Sequence, residues 1–221
     1  ITGAGSGIGK ATALRCARHG AEVVCVDVDG DAAQATADAC GGGARARTCD
    51  VSDAAAVHLL AESIESDQGP VDVLVNNAGV GIGGPFLDAS VEDWDWLIGV
   101  NLDGVAYGCR AFGARMVGRR RGHVVNVASG AAYIHTRHLA AYCASKSAVF
   151  ALSRCLRADW AGSGVGVSVI CPGVINTGIH TRARIYGTFA DQTSLIERGF
   201  KLGHSPELVA KAIVRAVERN H

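Results

Sequence analysis

Residues 2–17 read TGAGSGIGKATALRCA, a glycine-rich turn that runs straight into an Ala-rich helical stretch. Gly3, Gly7 and Gly9 stand in the spacing T-G-x-x-x-G-x-G. Glycine at such positions permits a tight turn and lets backbone N–H groups approach a phosphate at the start of the following helix. A glycine turn alone is weak evidence in a chain with 29 glycines. Its place between a strand end and a helix start favours nucleotide binding over a purely structural turn.

The rest of the chain alternates short runs rich in Val and Ile with longer Ala-rich stretches. These runs lack polar alternation, which indicates strands buried on both faces. We predict strands at 21–27, 46–51, 71–77, 123–129 and 165–173, and helices at 7–19, 31–41, 53–67, 90–118, 141–162 and 205–219. Strand–helix alternation builds right-handed βαβ units. The predicted fold class is therefore α/β, a doubly wound parallel sheet (the Rossmann fold) in a single domain.

One domain is expected to span residues 1–221, because no linker, repeat or change of composition divides the chain. The stretch 176–204 lacks a clear period, so we predict an irregular segment that acts as a mobile lid. The sequence opens inside what reads as a first strand and stops after the last predicted helix. Both ends are therefore expected to be incomplete.

Composition narrows the class of protein. Basic and acidic residues number 21 each, which gives no electrostatic reason to bind nucleic acid or an anionic membrane surface. No apolar run approaches the roughly 18 residues of a membrane span. The eight cysteines lack the C-x-x-C spacing of a metal site. We expect no nucleic-acid partner, no membrane span, no metal, reduced thiols and a cytoplasmic setting.

Asp27 closes the strand predicted at 21–27. A carboxylate at this point can accept hydrogen bonds from both hydroxyls of an adenosine ribose and repels a 2′-phosphate. No Lys or Arg follows directly, and Lys10 is the nearest base in the glycine turn. We therefore predict NAD as cofactor and consider NADP less favoured. An Asp that simply ends a strand is the alternative.

The segment AYCASKSAV, residues 141–149, places Tyr142 and Lys146 one helical turn apart on the same face. Such a pair is either an ordinary surface contact or a phenol whose proton is controlled by an ammonium. A free Tyr has a pKa near ~10 and is a poor base at neutral pH. A neighbouring ammonium stabilises the phenolate and lowers that pKa. The second interpretation predicts general acid/base chemistry at Tyr142.

Further motifs occur in a fixed order: CDVSD (49–53), NNAG (76–79), VNLDG (100–104), VVNVASG (124–130), YCASK (142–146) and CPGVINT (171–177). Together with TGAGSGIG, they make the chain resemble the short-chain dehydrogenase/reductase (SDR) superfamily over essentially its whole length. Residues 84–116 also look like actinobacterial members, some of which are fused behind an α/β-hydrolase domain.

This resemblance implies roles for individual residues. Tyr142 would be the general acid/base, Ser129 would polarise the substrate oxygen, and Lys146 would bond the nicotinamide ribose. Asn101 would complete the catalytic set by holding a water that relays protons to Lys146. The implied cofactor-binding residues are Gly3, Ser6, Gly7, Ile8, Gly9, Asp27, Asp50, Val51, Asn76, Ala78, Gly79, Tyr142, Lys146, Pro172, Gly173, Ile175 and Thr177.

The resemblance implies an oxidoreductase that moves hydride between NAD(H) and a secondary alcohol or ketone. It also implies a homodimer or homotetramer, built on the helices that carry Asn101 and Tyr142. Side chains expected near the reacting carbon are mostly apolar and favour a lipid-like, steroid-like or alicyclic small-molecule substrate: Ala131, Ala132, Val174, Ile179, Tyr186 and Phe189.

Two other functions are compatible with the same fold. A non-catalytic NAD-binding sensor is the main alternative, although such proteins typically lose the Tyr or the Lys that this chain keeps. Lyase or epimerase chemistry is a third, but those relatives usually carry a separate substrate domain. Trp94 and Trp96 are expected only to pack their helix, away from the lid.

Overall fold

The computed structural model describes residues 1–220 and has the alternating order that the sequence predicts. The helices are α1 (Gly7–Arg18), α2 (Gly30–Cys40), α3 (Ala54–Gln68), α4 (Val91–Ile98), α5 (Gly104–Gly118), α6 (Ala140–Asp159), α7 (Thr193–Lys201) and α8 (Pro206–Arg219). The strands are β1 (Val24–Asp27), β2 (Arg45–Thr48), β3 (Val73–Asn76), β4 (Ile82–Gly83), β5 (Gly122–Val127), β6 (Val165–Ile170) and β7 (Arg184–Ile185).

The main sheet is parallel and is joined at its centre by the first two residues of the chain. Strand β1 pairs with β2, while β5 lies between β3 and β6. Between these two groups, the Val26 N–H donates to the Ile1 carbonyl oxygen (2.9 Å) and the Thr2 N–H donates to the Val75 carbonyl oxygen (3.0 Å). The strand order is therefore β2, β1, residues 1–2, β3, β5, β6. This order confirms the predicted doubly wound sheet.

Helices cover both faces of this sheet, which explains the continuous Val runs in the sequence. Leu74 and Val124 face a core formed with α3, α5 and α6. Their neighbours Val75 and Val125 point to the opposite face, where α8 packs. Because side chains alternate along a strand, a strand covered on both sides needs apolar residues at successive positions.

The turn between the first residues and α1 is very close-packed. A Cβ added at Gly9 would overlap the Gly3 carbonyl oxygen, so only glycine allows α1 to approach the central strand. The Asn77 side-chain amide closes the turn by donating to the Thr2 carbonyl oxygen (2.9 Å) and to the Gly3 carbonyl oxygen (3.2 Å).

The helix predicted at 90–118 is interrupted. Residues Gly99–Asp103 form a π-helical segment between α4 and α5. At its end, a Cβ on Gly104 would lie 2.8 Å from Val51 Cγ2, so the glycine lets the helix pack directly on the loop after β2. A π segment of this kind is typical of functional sites, and this one contains the buried Asn101.

The sequence analysis predicted an irregular segment at 176–204, but the structure shows regular elements there. It contains strand β7, short 3-10 turns and helix α7, and β7 pairs in parallel with β4. The expectation that α4 lies away from this segment is also wrong. The Arg184 guanidinium lies 3.9 Å from the centre of the Trp96 ring on α4. The sequence of 176–204 shows no helical or strand periodicity because its short elements are stabilised by contacts with residues that are distant in the chain.

Three global features follow from the same structure. Within residues 1–220, no helix has the length and apolar character needed to cross a membrane. The eight cysteines are free thiols. Over the part of the chain that the structure describes, no cluster of three or more His, Cys, Asp or Glu side chains could hold a metal ion.

The buried side chain of His123 makes the free energy of unfolding depend on pH. Its side chain is 6% exposed and shares a 2.8 Å hydrogen bond with Ser168, from β5 to β6. Burial, assisted by the nearby Arg157, lowers the pKa of His123 from 6.5 to about 4. The unfolded chain therefore binds a proton below pH 6.5 that the folded chain does not accept until about pH 4.

On acidification from pH 7 to pH 5, we expect the free energy of unfolding to fall by about 2 kcal/mol because of His123. The fall arises because the unfolded chain binds a proton at His123 in this pH range and the folded chain does not. Chemical denaturation of wild type and of His123→Asn at both pH values measures this difference. The variant should lose less stability on acidification. The exposed His58 provides a control, and His58→Asn should behave like wild type. Equal losses in wild type and His123→Asn would contradict the assignment.

Candidate active site

The N-terminus of α1 lies beside the glycine turn, and the two together form a cradle with the features of an anion site. Helix α1 begins at Gly7, and the preceding Ser6 makes no capping hydrogen bond with its side chain. The first N–H groups of a helix point outward and carry partial positive charge. Gly3 (φ 63°) and Gly7 (φ 52°) adopt the left-handed conformation that this turn requires. This arrangement fits a pyrophosphate.

Asp27 lies against the same turn. It is 6% exposed, its Oδ2 accepts from the Gly5 N–H (2.8 Å), and its Oδ1 accepts from the Asp29 N–H (3.1 Å). A Cβ on Gly5 would lie 2.9 Å from Oδ2, so glycine leaves the carboxylate in direct contact with the turn. The structure thus brings the predicted ribose-binding carboxylate next to the predicted phosphate-binding turn.

Asp50 and Val51 lie in the loop that follows β2, next to the strand that ends at Asp27. Asp50 Oδ1 accepts from the Ser52 N–H (2.9 Å) and the Ser52 hydroxyl (2.7 Å), which fixes the loop after β2. The Val51 side chain is buried against Gly104 of α5. The contacts of Asp50 and Val51 with an adenine ring stay a prediction.

The cofactor contact of Asn76 stays a prediction, and the structure turns the side chain of this residue away from the glycine turn. Its side-chain amide is buried and donates to Asn126 Oδ1 (2.9 Å), on the face covered by α5. The residue that reaches the cleft side is Asn77, which holds the glycine turn. Alternation along β3 places Asn76 on the face of Leu74, so strand periodicity was the sequence feature that could have separated the two asparagines.

Gly79 lies beneath the reactive side chains. A Cβ at this position would lie 3.3 Å from both Asn101 Oδ1 and Lys146 Nζ, so glycine keeps the floor of the crevice open. Ala78, the residue before it, is held by its N–H donating to the Thr2 hydroxyl (3.0 Å). The NNAG motif therefore joins the glycine turn to the Tyr–Lys pair.

Asn101 is completely buried in the π-helical segment. Its Oδ1 accepts from the Val80 N–H (2.8 Å), and its Nδ2 donates to the Val80 carbonyl oxygen (3.0 Å) and the Ser145 hydroxyl (3.1 Å). Ser145 was not singled out by the sequence analysis. These contacts fix Asn101 between the loop that precedes β4 and helix α6, where Ser145 is the neighbour of Lys146 in the chain. The water-relay role of Asn101 stays a prediction.

Ser129 and Tyr142 meet where β5 ends and α6 begins. Ser129 caps the turn at Gly130–Ala132, with its Oγ accepting from the Ala131 N–H (3.2 Å). The Ser129 side chain lies close enough to the Tyr142 phenol to influence its acidity. Burial raises the pKa of Tyr142, and the neighbouring Ser129 hydroxyl opposes that rise. The two hydroxyls can therefore face one substrate oxygen together.

Lys146 is 3% exposed and donates to the Val127 carbonyl oxygen (3.2 Å). Burial lowers the pKa of Lys146 to about 8. Its Nζ lies 5.9 Å from the centre of the Tyr142 ring. The sequence analysis expected the ammonium to lower the phenol pKa, but desolvation dominates and raises it. The Lys146 ammonium points toward the Val127 carbonyl oxygen on β5. It therefore stabilises a Tyr142 phenolate less than an ammonium in direct contact with the phenol oxygen would.

Residues Pro172–Thr177 form the wall opposite α1. The Pro172 carbonyl oxygen accepts from the Gly130 N–H (2.6 Å), which joins this wall to the Ser129 turn. The Ile175 side chain is buried beneath α8, whereas Thr177 approaches within 3.2 Å of a Cβ position on Gly7. Gly173 follows Pro172 with open space at its Cβ position.

A cavity of about 440 Å³ opens beside Thr177 and Gly7. Helix α1 contributes Lys10, Ala11 and Leu14, and the start of α8 contributes Pro206 and Glu207. The Ile8 side chain, by contrast, packs into the core under α8. The glycine turn thus has open space on its Thr177 side.

The crevice suits a dinucleotide in its charges as well as in its shape. It runs from Asp27, past the N-terminus of α1, to Gly79 and the Tyr142–Lys146 pair, where the sheet connections change direction. In doubly wound sheets this switch point is where ligands bind. The cradle accepts an anion, Asp27 offers acceptors to hydroxyls, and the open floor at Gly79 leaves room for a ring beside Lys146.

Comparison with known proteins agrees with this geometry. A family model described as short chain dehydrogenase matches residues 1–185. The probable oxidoreductase EphD of Mycobacterium tuberculosis is 46% identical over 230 residues, covering 99% of this chain and 39% of that protein. The chain therefore spans about two fifths of the length of the EphD relatives.

Two further similarities concern proteins nearer in length. D-threitol dehydrogenase of Mycolicibacterium smegmatis is 42% identical over 186 residues, covering 83% of this chain and 72% of that protein. A crystal structure of a short chain dehydrogenase/reductase from Burkholderia phymatum in complex with NAD has a TM-score of 0.94 and 35% identity. That match covers 100% of this chain and 85% of the other. On the family match, the shared fold and these identities, this chain belongs to the short-chain dehydrogenase family of oxidoreductases.

Proposed function

We propose that this chain is an NAD-dependent oxidoreductase that interconverts a secondary alcohol and a ketone, with Tyr142 as general acid/base. The observation that carries the proposal is the closeness of the Ser129 side chain to the Tyr142 phenol, with buried Lys146 one helical turn away. These three side chains lie beside the open floor at Gly79, where a nicotinamide ring would fit.

Proton transfer in this proposal is carried out by the chain's own hydroxyl groups. The nicotinamide cofactor, when bound, supplies the hydride acceptor or donor. The Ser129 hydroxyl orients the substrate oxygen, and Tyr142 exchanges a proton with it. Because burial raises the pKa of Tyr142, the phenol is protonated at neutral pH and suited to donate to a ketone. Alcohol oxidation needs the phenolate and is expected to be faster at alkaline pH.

Asp27 and the glycine turn support the choice of NAD. The residues we propose to hold the cofactor begin with Gly3, Ser6, Gly7, Ile8 and Gly9 at the pyrophosphate. Asp27 would bind the adenosine ribose, while its negative charge would repel a 2′-phosphate. The similar Burkholderia phymatum structure was solved with NAD. The remaining proposed contacts are Asp50, Val51, Asn76, Ala78, Gly79, Tyr142, Lys146, Pro172, Gly173, Ile175 and Thr177.

The surroundings of Ser129 favour an apolar small-molecule substrate. Ala131 and Ala132 form the turn that Ser129 caps, and the next two side chains are exposed and apolar, Tyr133 at 57% and Ile134 at 69%. Val174, in the segment that joins this turn, is 55% exposed. Exposed apolar side chains grouped around a polar reactive centre are typical of pockets for apolar ligands.

We further propose that residues 1–221 form one catalytic domain, with part of 176–204 acting as a lid. In the intact protein, the helices α5 and α6 would form the interface of a homodimer or homotetramer. Light scattering combined with size-exclusion chromatography measures this state, and a monomer at micromolar concentration would contradict it.

Tyr142→Phe should strongly reduce turnover and leave NADH binding within about twofold of wild type, because the ring remains and only the proton donor is lost. We expect a fall in kcat of about 10²- to 10⁴-fold, the usual contribution of general acid–base catalysis. The assay follows nicotinamide absorbance with secondary alcohols of graded size and apolarity. Tyr107→Phe, on α5, is the matched control and should keep full activity. Wild-type turnover in Tyr142→Phe would remove the proton donor from the mechanism.

Asp27→Ala should weaken NAD binding and relax discrimination against NADP, because the ribose loses a charged acceptor and the 2′-phosphate loses a repelling neighbour. A charged hydrogen bond of this kind changes affinity by about 10- to 100-fold. Fluorescence titration with NADH and NADPH measures both affinities. Asp31→Ala, an exposed carboxylate on α2, is the control and should change neither. An unchanged preference in Asp27→Ala would show that cofactor choice lies elsewhere.

A further inference from the structure

Strand β7 holds the segment 184–189 across the entrance to the candidate site. The Arg184 N–H donates to the Gly81 carbonyl oxygen (3.0 Å), and the Tyr186 N–H donates to the Gly83 carbonyl oxygen (2.9 Å). Gly81 lies only two residues beyond Gly79, the floor of the crevice. A two-residue strand pair is too short to hold a segment by itself.

The Arg184 side chain adds an anchor on α4. Its Nη1 lies 2.6 Å from Asp93 Oδ1, and its guanidinium carbon lies 3.9 Å from the centre of the Trp96 ring. The planar guanidinium can therefore pair with a carboxylate and stack on an aromatic face at the same time. Asp93 is also fixed from its own side, because its Oδ2 accepts from the Ser90 N–H (3.0 Å) in the capping box of α4.

Tyr186 uses the same carboxylate. Its hydroxyl lies close to Asp93, and its ring packs on the buried cluster of Ile82, Leu97 and Ala141, which Tyr142 also contacts. The Tyr186 hydroxyl, the Ser90 N–H and the Arg184 guanidinium together hold the pKa of the Asp93 carboxyl well below its usual range. Asp93 is therefore charged throughout the physiological pH range.

The chain beyond Tyr186 reaches the loop before the catalytic helix. The Phe189 ring stacks on His138, with ring centres 5.2 Å apart, and lies against Gly83. The His138 carbonyl oxygen in turn accepts from the Gly84 N–H (2.8 Å). Residues 184–189 thus join β4, α4 and the start of α6 on the side of the crevice where Tyr142 lies.

We propose that Arg184 and Asp93 are positioning residues that fix residues 184–189 as the substrate-side wall of the crevice, with Tyr186 and Phe189 as the side chains that meet the substrate. This inference rests on the proposed function for its substrate. The anchor divides the segment 176–204 into a fixed wall at 184–189 and a following part, including α7, that carries lid movement.

The partial exposure of the ion pair limits its strength but not its role. The side chains of Arg184 and Asp93 are 42% and 13% exposed, and an exposed ion pair alone is weak. Here the ion pair is reinforced by the stacking of Arg184 on Trp96 and by the Tyr186 hydroxyl, which lies beside Asp93. Losing Arg184 therefore releases several contacts that depend on each other, which predicts non-additive effects of substitution.

The test compares Arg184→Ala and Arg184→Lys with the control Arg182→Ala, an exposed arginine two residues upstream. Hydrogen–deuterium exchange of a peptide covering 184–189 should become at least about fivefold faster in Arg184→Ala, the change expected from a lost surface anchor. The KM for substrate should rise by a similar factor, with kcat and the NADH dissociation constant nearly unchanged. Lysine keeps the charge, so Arg184→Lys should recover part of both effects. Arg182→Ala should match wild type.

A double substitution gives a second readout. Asp93→Asn should speed exchange in the same peptide, and Asp93→Asn combined with Arg184→Ala should be no faster than the faster single variant, because both remove one anchor. Unchanged exchange in Arg184→Ala, or fully additive effects, would overturn the anchor. Exchange is measured without substrate, so this result stands apart from the proposed reaction. Faster exchange with an unchanged KM would overturn the role of 184–189 as substrate wall.

Discussion

Hydrogen bonds from the first two residues join the two halves of the sheet, and the candidate site is built around that junction. Ile1 pairs with β1 and Thr2 with β3, while the Thr2 hydroxyl accepts from the N–H groups of Asn77 and Ala78. The close approach of α1 at Gly9 completes the junction. Because the sheet connections diverge here, a crevice opens at the edge of the sheet without any loss of core packing.

Desolvation shapes the chemistry at the far end of that crevice. Burial raises the pKa of Tyr142 and lowers the pKa of Lys146 to about 8, so both side chains are shifted toward their neutral forms. This is the expected response of opposite ionisable groups to a low dielectric. The shifts keep the phenol protonated and leave the ammonium easily deprotonated. The Ser129 hydroxyl opposes the shift of Tyr142, and the Val127 carbonyl oxygen accepts a hydrogen bond from Lys146.

The parallel sheet, its covering helices and the grouping of Ser129, Tyr142 and Lys146 could be predicted because they rest on periodicity and ordered motifs. Features that depend on distant contacts could not. Arg184 and Asp93 are 91 positions apart in the sequence, and no local sequence pattern predicts their contact. The two adjacent asparagines are a different case: the side chains of Asn76 and Asn77 face opposite sides, and the motif alone does not say which one reaches the glycine turn.

The most direct test of the central claim is hydride transfer itself. Wild-type protein would be incubated with NAD and secondary alcohols that carry deuterium on the carbinol carbon, and the reduced cofactor would be analysed by mass spectrometry. The account predicts reduced nicotinamide that has gained one deuterium from at least one apolar alcohol. Tight NADH binding with no labelled cofactor from any alcohol in a panel of graded size would contradict it and favour a non-catalytic NAD-binding protein.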